Sequence, residues 1–288
     1  MTRNERTAFL RERFAARELV VAPCCYDAIS ARVIHEAGFA ATFMSGFAVA
    51  AARFGVPDNG LIGYAEMVET LRLICAANPG IAVVADGDTG YGNAMNVRNT
   101  VIGYAQAGAA AIMIEDQVAP KRCGHMDGKV VVPLDEARTR IRAAVDARRE
   151  SGLDILIVAR TDARAPLGFD EAMRRMAAFK AEGADLLFLE APADQDELQR
   201  FAAEADGPAM ANLVPGGKTP VLSPARLAEM GFAFAIYHQA LFGAIEAMKR
   251  AFAALANGDP EGGAPSTPFD EVKRIAGAET YAATSARY

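Results

Sequence analysis

Residues able to do chemistry collect in a few short segments of the chain. In KRCGHMDGK, residues 121–129, Lys121, Arg122, Cys123 and His125 crowd together ahead of Gly128 and Lys129. A structural zinc site would need four soft ligands, or three and a water, at recognisable spacing. No second Cys–His pair exists here, because Cys24, Cys25 and Cys75 lie in other segments. A thiol beside Lys121, Arg122 and His125 instead has its thiolate favoured electrostatically, and so exchanges a proton near neutral pH. The plainer alternative is an exposed basic loop with an incidental cysteine.

A second segment, ADGDTGYGN at 85–93, sets Asp86 and Asp88 around a glycine. Two carboxylates ahead of a flexible turn suit a hard divalent cation such as Mg2+, which takes oxygen ligands and keeps several waters. Glu115, Asp116 and Glu190 are available to complete an outer shell, although Asp86 and Asp88 would also serve as caps of the following helix. Arg160 closes the apolar run ILIVAR and needs an anionic partner at that depth. That partner is either a structural carboxylate or a bound substrate carboxylate gripped in bidentate fashion. Ser45-Gly46 offers backbone N–H groups to an oxyanion.

These residues are held at the ends of a recurring element. Apolar runs without polar alternation occur at 19–22, 41–45, 81–86, 111–115, 155–160, 186–190, 209–212 and 234–238. Such runs suit parallel strands buried on both faces. Between them the spacing is helical: EAMRRMAAFKAEG, 171–183, lines up Met173, Met176, Ala177 and Lys180 and stops at Gly183. The repeated EAGF, QAGA, EGAD and EMGF place glycine where a helix must end before the next strand. Strands alternating with helices in this number predict an α/β fold, a (β/α)8 TIM-type barrel of roughly 250 residues. A doubly wound open sheet is the alternative. In a barrel, the strand ends Ser45-Gly46, Asp86-Gly87-Asp88, Glu115-Asp116, Arg160-Thr161-Asp162, Glu190, Asn212 and His238 would converge on one rim.

The composition describes a globular protein: 52% hydrophobic, 23% charged, with a net charge of −6. An acidic balance argues against nucleic acid or a membrane surface as partner, and no apolar run reaches membrane-spanning length. The charged N-terminus does not read as a signal peptide, and the cysteines do not form a disulfide framework, so a cytoplasmic setting is expected. Residues 1–256 read as the barrel with an N-terminal helix. Residues 257–288 read as a C-terminal extension, in which GDPEGGAPSTP turns into a terminal helix over FDEVKRIAG and packs on the barrel or a neighbouring subunit.

DGDTGYGN, EDQVAPKRCGHMDGK, ARTDARAP, LEAPA and ANLVPGGKTP, in this order, resemble the isocitrate lyase/phosphoenolpyruvate mutase superfamily from about residue 19 to 250. The KRCGH loop is the most specific part, and the short-chain lyases acting on 2-methylisocitrate, 2,3-dimethylmalate or oxaloacetate are the most similar branch. The resemblance implies a (β/α)8 barrel with its last helix swapped between subunits, as a homotetramer. It implies Mg2+, replaceable by Mn2+, bound directly by Asp88 and through water by Asp86 and Glu115. Ser45, Gly46 and Phe47 would cradle the oxo-acid product, and Arg160, Asn212 and Glu190 would hold the substrate. Asp58 would stand near the reacting carbon. The loop from Lys121 through Arg122 to His125 would close over the substrate, with Cys123 as general acid. The implied reaction is retro-aldol cleavage of a small 2-hydroxy or 2-oxo dicarboxylate or tricarboxylate, or hydrolysis of oxaloacetate.

This chain departs from the branch at three places. Phe43 replaces a tyrosine, His238-Gln239 replaces a proline-containing segment, and NLVPGG lacks an acidic residue, which together argue against tricarboxylates. His238 is either a substrate contact or a packed rim histidine. A phosphonomutase of the carboxyphosphonoenolpyruvate type also carries KRCGH and is the alternative chemistry. A barrel reduced to a binding protein would have lost metal ligands or Arg160, and all are present.

Overall fold

A computed structural model describes residues 1–263 and 266–288. The apolar runs form β1 (Val20–Cys25), β2 (Ala41–Met44), β3 (Ala82–Asp86), β4 (Ala111–Glu115), β5 (Leu156–Thr161), β6 (Leu186–Leu189), β7 (Ala209–Leu213) and β8 (Phe234–Tyr237). All pair in parallel in chain order, and β8 returns to β1 to close the barrel, which excludes the open sheet. Helices cover the outer face, so strands such as β3, β4 and β5 are buried at every residue. That double burial is why the runs show no polar alternation.

β1 continues past Ala22, where the apolar run stops, through Pro23 to Cys25. Proline has no N–H to give the ladder, but the Pro23 carbonyl accepts from the Thr42 hydroxyl at 2.7 Å. The glycines expected at helix ends, Gly38, Gly108, Gly183 and Gly231, have φ of 93°, 109°, 101° and 94°. This left-handed region is nearly free of cost only for glycine. The helix Phe169–Ala181 buries Ala172, Arg175, Met176 and Phe179, not the predicted line through Ala177 and Lys180. The face is rotated because Phe179 enters the core and Asp116 draws in Arg175 at 2.9 Å.

Strand alternation splits the apolar residues into two cores. Outward residues such as Val83, Ile112, Ile157 and Leu187 pack under the helices. Inward residues such as Val84, Met113, Val158, Phe188, Met210 and Ile236 fill the barrel. At the barrel floor the N-terminal helix Arg3–Ala15 inserts Leu10 and Phe14, the latter edge-on to Phe234 at 6.1 Å. Truncating such a plug, as in Leu10→Ala, costs about 2–5 kcal/mol.

After β8 comes the helix Gln239–Ala256, of which only Leu241 is buried. Two short helices follow, Phe269–Ile275 and Ala278–Ser285. The first docks on the helix Ala28–Glu36, where Arg274 pairs with Glu36 at 2.7 Å and Arg32 donates to the Ile275 carbonyl. Of the turn expected at 258–268, Ala264 and Pro265 lie outside the described residues. No helix among the described residues is long and apolar enough to cross a membrane.

Candidate active site

The inward alternation that fills the barrel also arms its rim. Two residues beyond the inward Phe43, Val84, Met113, Val158, Phe188, Met210 and Ile236 stand Ser45, Asp86, Glu115, Arg160, Glu190, Asn212 and His238. A strand repeats its facing every second residue, so each of these points into the mouth at the C-terminal end of the strands. A cavity of about 180 Å³ opens there, bounded by Ser45, Asp86, Arg160, Glu190, Asn212 and His238 among others.

On the β3–β4 side the wall is acidic. Asp86 accepts the Gly46 N–H at 3.2 Å on one oxygen and the Asp88 N–H at 3.0 Å on the other. The Gly46 N–H is thus aimed at a carboxylate, and a Cβ at Gly46 would fall 2.7 Å from it. Ser45 lines the cavity while its hydroxyl caps the helix Gly46–Val49 through the Ala48 N–H. Asp88 is held with a φ of 47°, which turns it back beside Asp86. Lys121 reaches this group and pairs with Asp58, bringing those two residues into the wall.

Burial raises the Asp86 carboxyl, helped by neighbouring Asp88, and burial also raises Glu115 well above the usual range. Burial pulls the Lys121 ammonium down, but Asp88, Asp58, Asp86 and Glu115 together carry it above its ordinary value. Two acceptors remain unmatched, since Asp88 Oδ1 and Glu115 Oε1 are buried with no hydrogen-bond donor. Lys121 Nζ lies 2.8 Å from Asp88 Oδ1, out of hydrogen-bond alignment. Orphaned carboxylate oxygens are costly unless a cation meets them. Among the described residues, no group of three His, Cys, Asp or Glu side chains encloses a cation unaided. The donors therefore suit a hard ion that keeps much of its water, as Mg2+ does, and not zinc.

Arg160 lies between the walls. Asp162 grips it in bidentate fashion at 2.8 and 3.0 Å, Glu115 lies 3.2 Å from Nε, and Glu190 lies 3.4 Å from Nη2. The structural partner and the substrate-facing position therefore coexist: Asp162 holds the guanidinium while Arg160 still lines the cavity. Burial opposes the Asp162 charge, yet Arg160 and Lys129 hold the carboxyl well below its usual range.

The β7–β8 side is neutral. His238 Nε2 is 3.0 Å from Asn212 Oδ1, and its ring meets Phe47 edge-on at 6.4 Å. Burial depresses His238 to about 4, so the ring is uncharged at neutral pH. His238 is packed at the rim and also lines the cavity. Phe43, Val214, Pro215 and Ile236 complete an apolar surface.

The KRCGH loop closes the mouth. Its base is zipped by a Gln117–Val131 bridge and a 2.8 Å bond from the Val118 N–H to the Val130 carbonyl. Cys123, Gly124 and His125 face the cavity. The Lys218 N–H donates to His125 Nδ1 at 3.0 Å, which puts the imidazole proton on Nε2, 3.3 Å from Glu190. Burial lowers His125, keeping it neutral at neutral pH. Arg122 is exposed, faces the Asp127 carbonyl and does not line the cavity.

The expected acidification of Cys123 does not occur. Burial raises the thiol, and Asp58 and Glu190 add to that. The neighbouring cations are engaged elsewhere, with Lys121 on carboxylates and Arg122 towards solvent, while His125 carries no charge. Cys123 is thus a protonated thiol at the edge of the cavity.

Buried ion pairs that the spacing did not reveal also build the site. Lys129, with a fully buried side chain, donates to Asp162 at 2.8 Å and to the Gly124 carbonyl at 2.5 Å. Arg175 and Thr161 hold Asp116 below the rim. The one sequence signal was their position, Lys129 closing KRCGHMDGK and Asp162 following Arg160.

Known proteins with this arrangement share its ancestry. The family profile described as phosphoenolpyruvate phosphomutase matches residues 10–256. The chain is 42% identical to 2,3-dimethylmalate lyase of Eubacterium barkeri over 275 residues, 94% of either protein. A structure of oxaloacetate acetylhydrolase with the inhibitor 3,3-difluorooxalacetate superposes with a TM-score of 0.91 at 33% identity, covering 96% of this chain and 94% of that one. Phosphonopyruvate hydrolase in complex with oxalate and Mg2+ superposes at 0.87 and 31% identity, covering 100% and 99%. The chain belongs to the isocitrate lyase/phosphoenolpyruvate mutase superfamily and is a lyase or mutase of that superfamily.

Proposed function

We propose that the protein is a Mg2+-dependent carbon–carbon lyase that cleaves a small 2-hydroxy dicarboxylate of the 2-alkylmalate type by retro-aldol chemistry. The observation that carries this reading is a half-buried, protonated Cys123 facing an acidic wall with orphaned oxygens across from a neutral apolar wall. Asp88 directly, and Asp86 and Glu115 through water, would hold Mg2+ or Mn2+, whose charge makes a substrate hydroxyl more acidic.

The chain's own groups supply the rest. Arg160 grips a substrate carboxylate, and Ser45, Glu190 and Asn212 orient the hydroxy-acid half. Asp58, paired with Lys121, stands near the reacting carbon. The closed loop excludes water while the carbon–carbon bond breaks. Cys123 then delivers its proton to the carbanionic carbon of the departing half. Phe43, Phe47 and Ile236 accept an alkyl substituent. A third carboxylate would face this neutral wall unpaired, which disfavours tricarboxylates.

Oxaloacetate hydrolysis is the second reading, favoured by the likeness to oxaloacetate acetylhydrolase. Residues 1–256 form the catalytic barrel and 257–288 an extension. The helix Gln239–Ala256 exposes Ile245, Met248, Phe252 and Leu255, which supports exchange of terminal helices within a cytoplasmic homotetramer.

A Mg2+-supplemented screen of 2,3-dimethylmalate, 2-methylisocitrate, oxaloacetate and phosphonopyruvate tests the reading. Turnover of phosphonopyruvate alone would sink it. Cys123→Ser should lower turnover of the accepted substrate by about 10²–10⁴-fold while oxalate still binds. Unchanged turnover removes the proton-donor role.

A further inference from the structure

The loop that carries Cys123 is fastened at two buried points, by Lys121 on the acidic wall before the cysteine and by Lys129 after it. Lys129 returns from the loop into the barrel mouth, where its side chain is fully shielded from solvent. A lysine is placed at that depth only where anions and acceptors repay its dehydration. Its ammonium has two such partners, the Gly124 carbonyl at 2.5 Å and Asp162 Oδ1 at 2.8 Å. Asp162 Oδ1 is also the oxygen that accepts Arg160 Nη2 at 3.0 Å. Gly124 in turn sits so close to the Arg160–Glu190 pair that a Cβ would fall 2.6 Å from Arg160 Nη2 and 2.5 Å from Glu190 Cδ. After Cys123 the remaining ties are lighter: the Lys218 N–H donates to His125 Nδ1, and the Lys218–Asp127 pair is exposed to solvent, where an ion pair contributes little.

We propose that Lys129 is a positioning residue that locks the Cys123 loop onto the arginine site, by joining Gly124 and the Asp162 carboxylate through one ammonium. Closing the loop brings a second cation to Asp162. Arg160 then shares its counter-charge and keeps more of its own positive field for a substrate carboxylate. Closure also sets Cys123 at the cavity edge, since Gly124 is its neighbour in the chain. The proton donor and the carboxylate grip are therefore assembled in the same movement. This extends the role given to Cys123 above and rests on it for the catalytic arm of the test only.

The first arm needs no substrate. Cys123 is the one half-exposed cysteine, and Cys24, Cys25 and Cys75 are buried. Iodoacetamide labelling of the full-length protein, resolved by peptide mass, therefore reports the loop through Cys123 and the barrel through the other three. Lys129→Met keeps the bulk and removes the charge. Labelling of Cys123 should accelerate about tenfold or more while the other cysteines stay protected. Cys123 labelling within twofold of the wild type overturns the proposal. So does parallel labelling of every cysteine, which makes Lys129 part of the scaffold. Lys129→Gln, which retains a donor for Gly124, gives the same decision where the methionine variant does not fold.

In the second arm, with whichever substrate the screen identifies, Lys129→Met should lower kcat by about tenfold or more and leave the Mg2+ dependence unchanged. Equal kcat with a raised requirement for Mg2+ would overturn it. Failure of the whole substrate panel sinks the proposed reaction but leaves the labelling result decisive for Lys129.

Discussion

The two walls of the cavity are built by the same strand alternation yet solve opposite problems. On the β3–β4 side, Asp58, Asp86, Asp88 and Glu115 crowd around Lys121, and two of their oxygens still lack donors. On the β7–β8 side, Asn212 and a neutral His238 satisfy each other, and the remaining surface is apolar. The first wall carries more negative charge than Lys121 offsets. The second is complete by itself. On the proposed reading, the chemistry would belong with the first wall and substrate choice with the second.

Removing the acidic wall should have the largest effect. Asp88→Ala takes away the proposed direct metal contact, and turnover should fall by about a thousandfold or more, near 4 kcal/mol of transition-state free energy. Folding stability should change far less, because the lost ion pair with Lys121 is offset by relieved repulsion with Asp86. Turnover assays with Mn2+ titration, and urea unfolding at one pH, measure both. Retained turnover at unchanged Mn2+ dependence would erase the contrast between the walls.

The neutral wall should be the one that acid breaks. His238 titrates at about 4 in the folded protein because it is buried, against about 6.5 in an unfolded chain. The unfolded state therefore binds its proton first as pH falls. Above about 6.5 this histidine contributes no pH dependence; between 6.5 and 4 it destabilises the fold progressively, by about 2 kcal/mol at pH 5. Asp86 and Glu115, raised by burial, pull the other way, since they gain protons in the folded state. The quantity to read is the difference between wild type and His238→Gln in urea unfolding at pH 7 and pH 5. The wild type should lose the additional 2 kcal/mol or so, and equal losses would show that His238 is not held neutral by its site.

The contrast also separates what was legible in the sequence from what was not. Strand ends were legible because β-alternation is local: the inward apolar residue two positions earlier predicts where Asp86, Arg160 or Asn212 must point. The barrel followed from the number of such runs, and glycines with positive φ marked the helix ends. Charge balance was not legible, because it depends on partners distant in the chain. Lys121 lies beside Cys123 in sequence but beside Asp58 in space, and Arg122 next to it faces outward. Counting cations near Cys123 along the chain therefore gave the wrong sign for its acidity. The pairing of Lys129 with Asp162 was hidden for the same reason: a lysine after a glycine looks like solvated loop until its anion is found 33 residues away.

The smallest effect should sharpen the contrast most finely. Ile236 ends the inward stack of β8 just below His238, is buried, and lines the cavity with its alkyl side chain. Ile236→Val removes one methylene from the neutral wall without touching a charge, a metal contact or the loop. Fold stability should fall by about 0.5–1.5 kcal/mol, a cost the barrel tolerates. The vacated space lies where the substrate's alkyl group is expected, so a longer substituent gains contacts there as a methyl group loses them. A pocket discriminates a single methylene by about tenfold at the low end. The ratio of kcat/KM for methyl- over ethyl-substituted malates should therefore drop by up to about tenfold, with the Mg2+ requirement unaltered. A shift in the metal requirement instead would mean that the walls act as one unit, and that substrate choice cannot be tuned on the neutral side alone.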